Sequence, residues 1–425
     1  MDRSDPHLCI VAILLALIAP LGLLSCTQGA ITDAVTEAPI GDVEVSFDRW
    51  PPPESRSYSW EWPRHFRRHT PDHRTRSTPF FWRGANYGFG GSGECSQAPE
   101  EIVIPHSWYR ITLRREGYHP GIFYRYHGGY EEICSFMPCS PGLPQDGPCN
   151  VQDFQLQPLG ATFPLLPDLI VDPREFLDRS WQCALVPDGD PLLGLRIAVG
   201  TVNIGEGALH LIGEDTTTPE ESFVSQRVDF SDGTSQLFAL PPGSFEFHPG
   251  HNHIHFRNWV VLNALADTET CRSPEDRSQD CQVATSGKIS FCIMDLEPFD
   301  ADIRAEFGGE IPLYPDPPTC DSLLQGLSPG WKDVYHSELE GQVIIFGPLH
   351  QDSSFPSSVW IEAHVDPLNL LQQRSRENSI AGISLSLPED PITLCNDPER
   401  TIDCRGNLHA MDFQRRMQCP DYLNH

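Results

Sequence analysis

Lysine is nearly absent from this 425-residue chain: of 29 basic residues only Lys288 and Lys332 are lysines, the rest being arginine. The simplest source of such a bias is nucleotide composition, so a lysine that survives it calls for a chemical explanation. Basic charge as a whole is scarce. Against 59 acidic residues it leaves a formal charge of −30, which repels phosphates and excludes nucleic acid as a partner. The same field attracts cations, amines among them, or serves only solubility in a salty habitat. Charged residues make up 21% of the chain, while prolines number 40 and glycines 33, a balance that disfavours long helices and favours short strands with many turns. No long amphipathic helical pattern is present. No CxxC pair occurs among the 14 cysteines, which removes the zinc-finger reading.

Long apolar runs are missing too, except at the start. Residues 9–24, interrupted by Pro20, have the length of a signal-peptide core and are short for a membrane span. The run ends in Leu23-Leu24-Ser25-Cys26, similar to a lipoprotein cleavage box in which Cys26 would be lipidated; ordinary signal cleavage is the alternative. Either route exports the chain to the cell surface, the outer membrane or the medium, with a lipid anchor as its one membrane contact. Setting aside Cys9 and Cys26 leaves an even twelve cysteines for disulfides, as suits an oxidising compartment. Cys271/Cys281 and Cys395/Cys404 are short pairs that would close small loops.

What is present is concentrated in Phe247-His248-Pro249-Gly250-His251-Asn252-His253-Ile254-His255. Side chains of a strand alternate faces, so His251, His253 and His255 would share one side, with neighbours about 6–7 Å apart. Imidazoles at that spacing can converge on one metal ion, and three neutral nitrogens suit copper or zinc, copper standing highest in intrinsic affinity. A solvated histidine run is the plain alternative.

The expected architecture is all-β, in two domains. Residues 1–26 are the signal. Residues 27–128 form a small sandwich with an irregular Arg/Pro/Trp-rich insertion near 50–100, in which Gly88 to Gly93 is a loop without the strand–helix context of a phosphate site. Residues 129–160, with Cys134, Cys139 and Cys149, read as a Cys/Pro-rich linker. Residues 161–390 form the larger domain, with strand candidates at 195–202, 209–212, 254–265, 288–294, 342–346 and 359–365, the pattern of an antiparallel sandwich. Residues 391–425 are a cysteine-containing tail. Within the first domain, Pro39-Ile40-Gly41-Asp42-Val43-Glu44-Val45 and Glu116-Gly117-Tyr118-His119-Pro120 resemble the signatures of the carboxypeptidase regulatory-like domain, a prealbumin-like β-sandwich that carries no catalysis.

The larger domain resembles the catalytic domain of the lysyl oxidases, particularly their bacterial relatives. The resemblance is carried, in order, by Leu166-Pro167-Asp168-Leu169, by Leu195-Arg196 with Asn203-Ile204-Gly205-Glu206-Gly207-Ala208-Leu209, and by Gln226 with Asp232-Gly233. It continues through the histidine segment, Gly287-Lys288-Ile289-Ser290-Phe291-Cys292, Gly326-Leu327-Ser328-Pro329-Gly330-Trp331-Lys332-Asp333-Val334-Tyr335, and Gln342. It implies a lysyl oxidase-type β-sandwich with long loops and copper-dependent oxidative deamination of primary amines by molecular oxygen, giving aldehyde, ammonia and hydrogen peroxide. The substrate would be a protein lysine or a small amine. His251, His253 and His255 would be the copper ligands, with His248 not carried over. Lys288 and Tyr335 would form the lysine tyrosylquinone cofactor, and Asp333, two residues before Tyr335, would be the base. Lys332 would be a surface residue.

Departures from the family matter as well. Cys292 remains and Cys320 lies near the position of its family partner, which implies a Cys292–Cys320 bridge. The family's calcium set is retained only at Asp168, Leu169 and Asn378, with two carboxylates lost and Glu377 the nearest substitute, so at most a weak calcium site is implied. The rival reading is an exported copper-binding or structural surface protein of the same fold in which no quinone forms.

Overall fold

The computed structural model describes residues 27–38, 40, 43–50, 80–81, 86–89, 107–127, 150–151, 154–186, 189–213, 223–248, 253–272, 277–315, 323–339, 342–349 and 355–404. The signal segment with Cys26, most of the 50–100 insertion, Cys134, Cys139, Cys149, His251, Cys320 and the tail beyond 404 lie outside them. The chain is all-β and divides into two compact units, one ending at Ala161 and the other starting at Thr162. Among the described residues no helix is long and apolar enough to cross a membrane.

The strands of the first unit are β1 (Thr27–Asp33), β2 (Glu44–Trp50), β3 (Phe80–Phe81), β4 (Asn86–Phe89), β5 (Ser107–Arg114), β6 (Gly121–His127), β7 (Asn150–Val151) and β8 (Phe154–Leu156). They make a sheet in the order β3-β2-β5-β6 and a second around β1, flanked by β4, β7 and β8. Alternation in β5 sends Tyr109, Ile111 and Leu113 into a core with Ile31, Phe123 and Phe154. The polar turn after β1 is closed by Asp33, whose Oδ1 accepts from the amides of Val35 and Thr36. Its Oδ2 accepts from the hydroxyl of Tyr118 at 3.0 Å. The expected 129–160 linker is partly sheet, because Phe154–Leu156 runs parallel beside β1 and buries Phe154 and Leu156.

The second unit holds β9 (Pro164–Leu165), β10 (Leu169–Val171), β11 (Arg179–Leu185), β12 (Leu192–Ile197), β13 (Val199–Asn203), β14 (Leu209–Gly213), β15 (Val224–Phe230), β16 (Ser235–Ala239), β17 (Phe245–His248), β18 (His253–Ala266), β19 (Gln282–Phe291), β20 (Glu297–Pro298), β21 (Leu324–Leu327), β22 (Trp331–Tyr335), β23 (Val343–Pro348), β24 (Ser358–Val365), β25 (Ile380–Ser386) and β26 (Thr401–Asp403). Among the described residues they form three sheets. The largest runs β25-β24-β18-β19-β23-β12-β11-β26 with β17 added on β18; the others run β10-β13-β22-β20 and β16-β15-β14-β21. The near-continuous apolar run 192–203 is buried throughout. It leaves the large sheet and enters the four-stranded one at Ala198, so one stretch of chain joins both.

The motif Asn203 to Gly207 is a clasp. The side-chain oxygen of fully buried Asn203 accepts from the amides of Asp168 and Gly205, and its NH2 donates to the carbonyls of Gly207 and Leu327, each at 2.9–3.1 Å. A Cβ on Gly207 would lie 2.0 Å from the carbonyl oxygen of Leu165, so only glycine admits this close approach.

Cys271–Cys281 forms as expected. Cys395 does not pair with Cys404: it is bonded to Cys183. The cause is that β26 runs parallel beside β11, laying the stretch after Cys395 over Cys183, so residues 391–404 pack as part of this unit. Cys404 and Cys292 are also disulfide-bonded.

Candidate active site

Two of the expected site residues, Asp333 and Tyr335, lie on β22. The motif Ser328-Pro329-Gly330 makes the turn that starts this strand, with Gly330 at φ 73°. Asp295 clamps the turn, accepting from the amide and hydroxyl of Ser328 at 2.7 and 2.6 Å and from the amide of Tyr314 at 3.0 Å. The strand then pairs with β13, Tyr335 standing opposite Val199 and Asp333 opposite Thr201. The turn after it is fixed by Arg196, which donates to the carbonyls of Ser337 and Leu339, and by Asp178, which accepts from Ser337.

Tyr335 is 9% exposed. Its ring stacks on Phe291, centroids 3.5 Å apart and planes within 4°. Its hydroxyl donates to the carbonyl of Cys292 at 3.0 Å and accepts from the same residue's amide at 2.8 Å. Burial, with the charge of Asp333 added, pushes the phenol well above its ordinary pKa. Asp333 is fully buried and neither carboxylate oxygen has a hydrogen-bond partner in good geometry among the described residues. Burial, reinforced by the charge of Asp295, raises its pKa well above the ordinary carboxylate range, and the backbone at Met294 and Val334 only partly opposes this.

The histidine segment lies one strand away. Strands β17 and β18 form a hairpin in which His248 stands opposite His253 and Glu246 opposite His255. His253 opens β18 and His255, buried, follows two residues later. Phe256, next along, stands opposite Phe291, the residue on which Tyr335 stacks. A residue that the sequence reasoning missed ties the two together. Gln325, fully buried, donates from Nε2 to the carbonyl of Ile254, between the two histidines, at 2.9 Å. Its Oε1 accepts from the amide of Ile293, next to Cys292, at 3.3 Å. The only sequence signal was its place directly before the Gly326 motif.

Lys288 lies on β19 opposite Val261, three residues before Phe291, a backbone run of about 10 Å. Among the described residues no group of three or more His, Cys, Asp or Glu side chains converges as a metal site; His251 lies outside them, as does the side chain of His253.

One expectation is corrected. Lys332 is not a surface residue. It is 5% exposed, and its ammonium contacts Glu175, Glu297 at 3.0 Å and Asp172 at 3.5 Å. Its side chain is enclosed by carboxylates brought in from positions 172, 175 and 297. Burial disfavours the ammonium, but the charges of Asp172 and Glu175 outweigh it and hold the pKa above the ordinary value. The implied calcium set is also taken up within the protein. Asn378 donates to Oδ1 of Asp168 at 2.9 Å, while Oδ2 is gripped by the guanidinium of Arg374 at 2.7–2.9 Å. Arg374 reaches Glu206 as well, at 3.4 Å, and the amide of Leu169 donates to Gln373. The guanidinium of Arg374 thus sits against the carboxylate of Asp168.

No protein-family model matches the chain. It does have distant curated relatives. The chain is similar to lysyl oxidases. It is 25% identical over 215 residues to human lysyl oxidase homolog 1 (Homo sapiens), 51% of this chain and 32% of that protein. It is 24% identical over 216 residues to protein-lysine 6-oxidase of Bos taurus, covering 51% and 44%, and 27% identical over 156 residues to that of Sus scrofa, covering 36% and 52%. The chain thus spans about a third to a half of the length of these relatives. Among solved structures, the major pilin subunit BcpA of Bacillus cereus is matched over 90% of this chain and 98% of that one, at 6% identity and a TM-score of 0.16, a value that carries no structural argument.

Proposed function

We propose that the second unit is a copper-dependent amine oxidase of lysyl oxidase type, with His251, His253 and His255 holding the metal and Tyr335 joined to Lys288 as its quinone. The observation that carries the reading is the enclosed phenol of Tyr335, set beside an orphaned buried carboxylate and one strand from the histidines. The donor set fits: neutral imidazoles suit copper, and Asp333 is a buried acid with no well-formed hydrogen bond among the described residues, the usual mark of a functional group. The Cys183–Cys395 and Cys271–Cys281 disulfides accord with an exported protein.

When bound, copper and the quinone supply the electron sink that accepts two electrons from the amine carbon. The chain's own residues do the rest. Phe291 and the backbone of Cys292 hold the ring of Tyr335 in one orientation. Asp333 takes the proton from the carbon beside the substrate nitrogen, a task suited to a carboxylate whose basicity burial has raised. Gln325 keeps the histidine strand and the Tyr335 pocket in fixed register. The −30 charge draws in the protonated amine.

The test is a quinone stain and intact mass of copper-loaded protein, repeated on Lys288→Arg and Tyr335→Phe, with peroxide release measured over an amine panel. Copper uptake without a quinone in the wild type would favour the copper-binding rival. Asp333→Asn separates function from stability. It should lower turnover by about 10²–10⁴-fold and yet raise the melting temperature at pH 7. A folded-state pKa above the unfolded value of 3.8 means that ionised Asp333 opposes folding at neutral pH. That penalty disappears as pH falls toward 4, so the stability gain of the variant should shrink over the same range. A variant less stable than wild type at pH 7 would count against the assignment.

A further inference from the structure

Gln342 has no part in the chemistry assigned to Tyr335 and Asp333. Its side chain is fully buried, and neither Oε1 nor Nε2 has a hydrogen-bond partner among the described residues. The backbone of the same residue is spent: its amide donates to the carbonyl of Leu339 at 3.3 Å and its carbonyl accepts from the amide of Ile197 at 3.1 Å. A carboxamide brings two N–H donors and an acceptor. Burying them bare costs free energy that methionine or leucine would not cost at the same place. The carboxylate of Asp333 is in the same condition.

The fold puts Gln342 beside the Tyr335 pocket. Val343 stands opposite Arg196, which sets Gln342 against Ile197 at the end of β12, and Val199, two residues on, stands opposite Tyr335. About 6–7 Å of extended chain therefore separates the partner of Gln342 from the partner of Tyr335. Strand alternation, carried one residue back from β23, gives Gln342 the face of Ile344, which is fully buried opposite the equally buried Leu195. In the large sheet β23 lies beside β19, the strand of Phe291, and the ring of Tyr335 reaches that sheet by stacking on Phe291. We propose that Gln342 donates a hydrogen bond to the oxygen that the Tyr335 ring gains when it becomes a quinone, an assignment that rests on the oxidase reading above. The groups described around the ring are otherwise committed. The amide of Cys292 is bonded to the phenol oxygen, Phe291 is apolar, and Asp333 acting as a base offers acceptors alone. A quinone oxygen in this interior is a buried acceptor and needs a donor. Nε2 of Gln342 is a donor that the fold has left unspent.

Gln342→Met keeps the length of the side chain and removes its polar atoms, so it tests the assignment in two states of the full chain. Without copper, before any quinone exists, the variant should be the more stable, its unfolding constant lower than that of wild type by about tenfold. A variant less stable in that state would show that the amide is spent within the fold, and the proposal would be overturned. After copper loading in air, intact mass and quinone staining should show the cofactor in wild type and variant alike. The visible absorption band of the variant should be displaced from that of wild type, and its stability advantage should be lost. Turnover at saturating amine should fall by about 10²-fold, the usual effect of removing one aimed donor. Gln342→Leu should repeat these results, which separates loss of the amide from the misfit of one particular side chain. If both variants keep the wild-type band and turnover, Gln342 does not touch the ring; the assignment then falls and the oxidase reading stands. If the wild type forms no quinone, the oxidase reading falls and takes this assignment with it.

Discussion

Replacing Arg374 with alanine is expected to destabilise the second unit by roughly 3–5 kcal/mol, about 6–20 °C in the unfolding midpoint for a unit of this size. The guanidinium is 15% exposed and bridges Asp168, 0% exposed, and Glu206, 9% exposed; it also reaches the carbonyl of Ile204, while its backbone amide donates to Pro167. Its removal strands two carboxylates in a low-dielectric interior, and the cost of an uncompensated buried charge exceeds the value of the pair itself. Two controls give the prediction its shape. Arg374→Met combined with Asp168→Asn should recover part of the loss, because the orphaned charge goes with its partner. Calcium should raise the midpoint of Arg374→Ala, whose freed oxygens suit a hard cation, while calcium chelation leaves the wild-type midpoint unchanged. Thermal unfolding with and without calcium checks all of these. A wild-type midpoint that falls on chelation would sink the idea that arginine stands in for the metal.

The second large effect is on activity. Tyr335→Phe should abolish amine turnover and quinone staining, since no phenol remains to be oxidised. It should also cost about 1–3 kcal/mol, because the amide and carbonyl of Cys292 lose their shared partner inside the protein. The ring would still stack on Phe291, so folding should survive. Denaturant unfolding read beside peroxide release separates the two consequences. Turnover retained at more than a trace would remove Tyr335 from the chemistry.

The strands were largely legible in the sequence, because alternation and β-branched runs are local signals. The candidates at 254–265 and 359–365 became β18 and β24 almost residue for residue. The candidate at 195–202 hid a change of sheet at Ala198, since a run buried on every side has no period to interrupt. Candidate site residues were legible as a set of types in order, but not their neutralising partners. Lys332 looked exposed because its carboxylates come from positions 172, 175 and 297, and no local pattern announces them. Arg374 meets Asp168 across more than 200 residues of chain, and Cys183 meets Cys395 across 212. Such pairs are decided by how the sheets stack, which spacing along one strand cannot report.

The face-to-face stack of Tyr335 on Phe291 has a consequence for stereochemistry. In the proposed oxidase, with one face of the ring covered by a neighbour 3.5 Å away, an amine bound at Tyr335 would have to lie on the other face. Its two α-hydrogens are then no longer equivalent, and one of them faces the base. A substrate deuterated at a single prochiral position should either lose its label almost completely or keep it. A mixture of both outcomes would mean that the ring leaves the stack before it reacts.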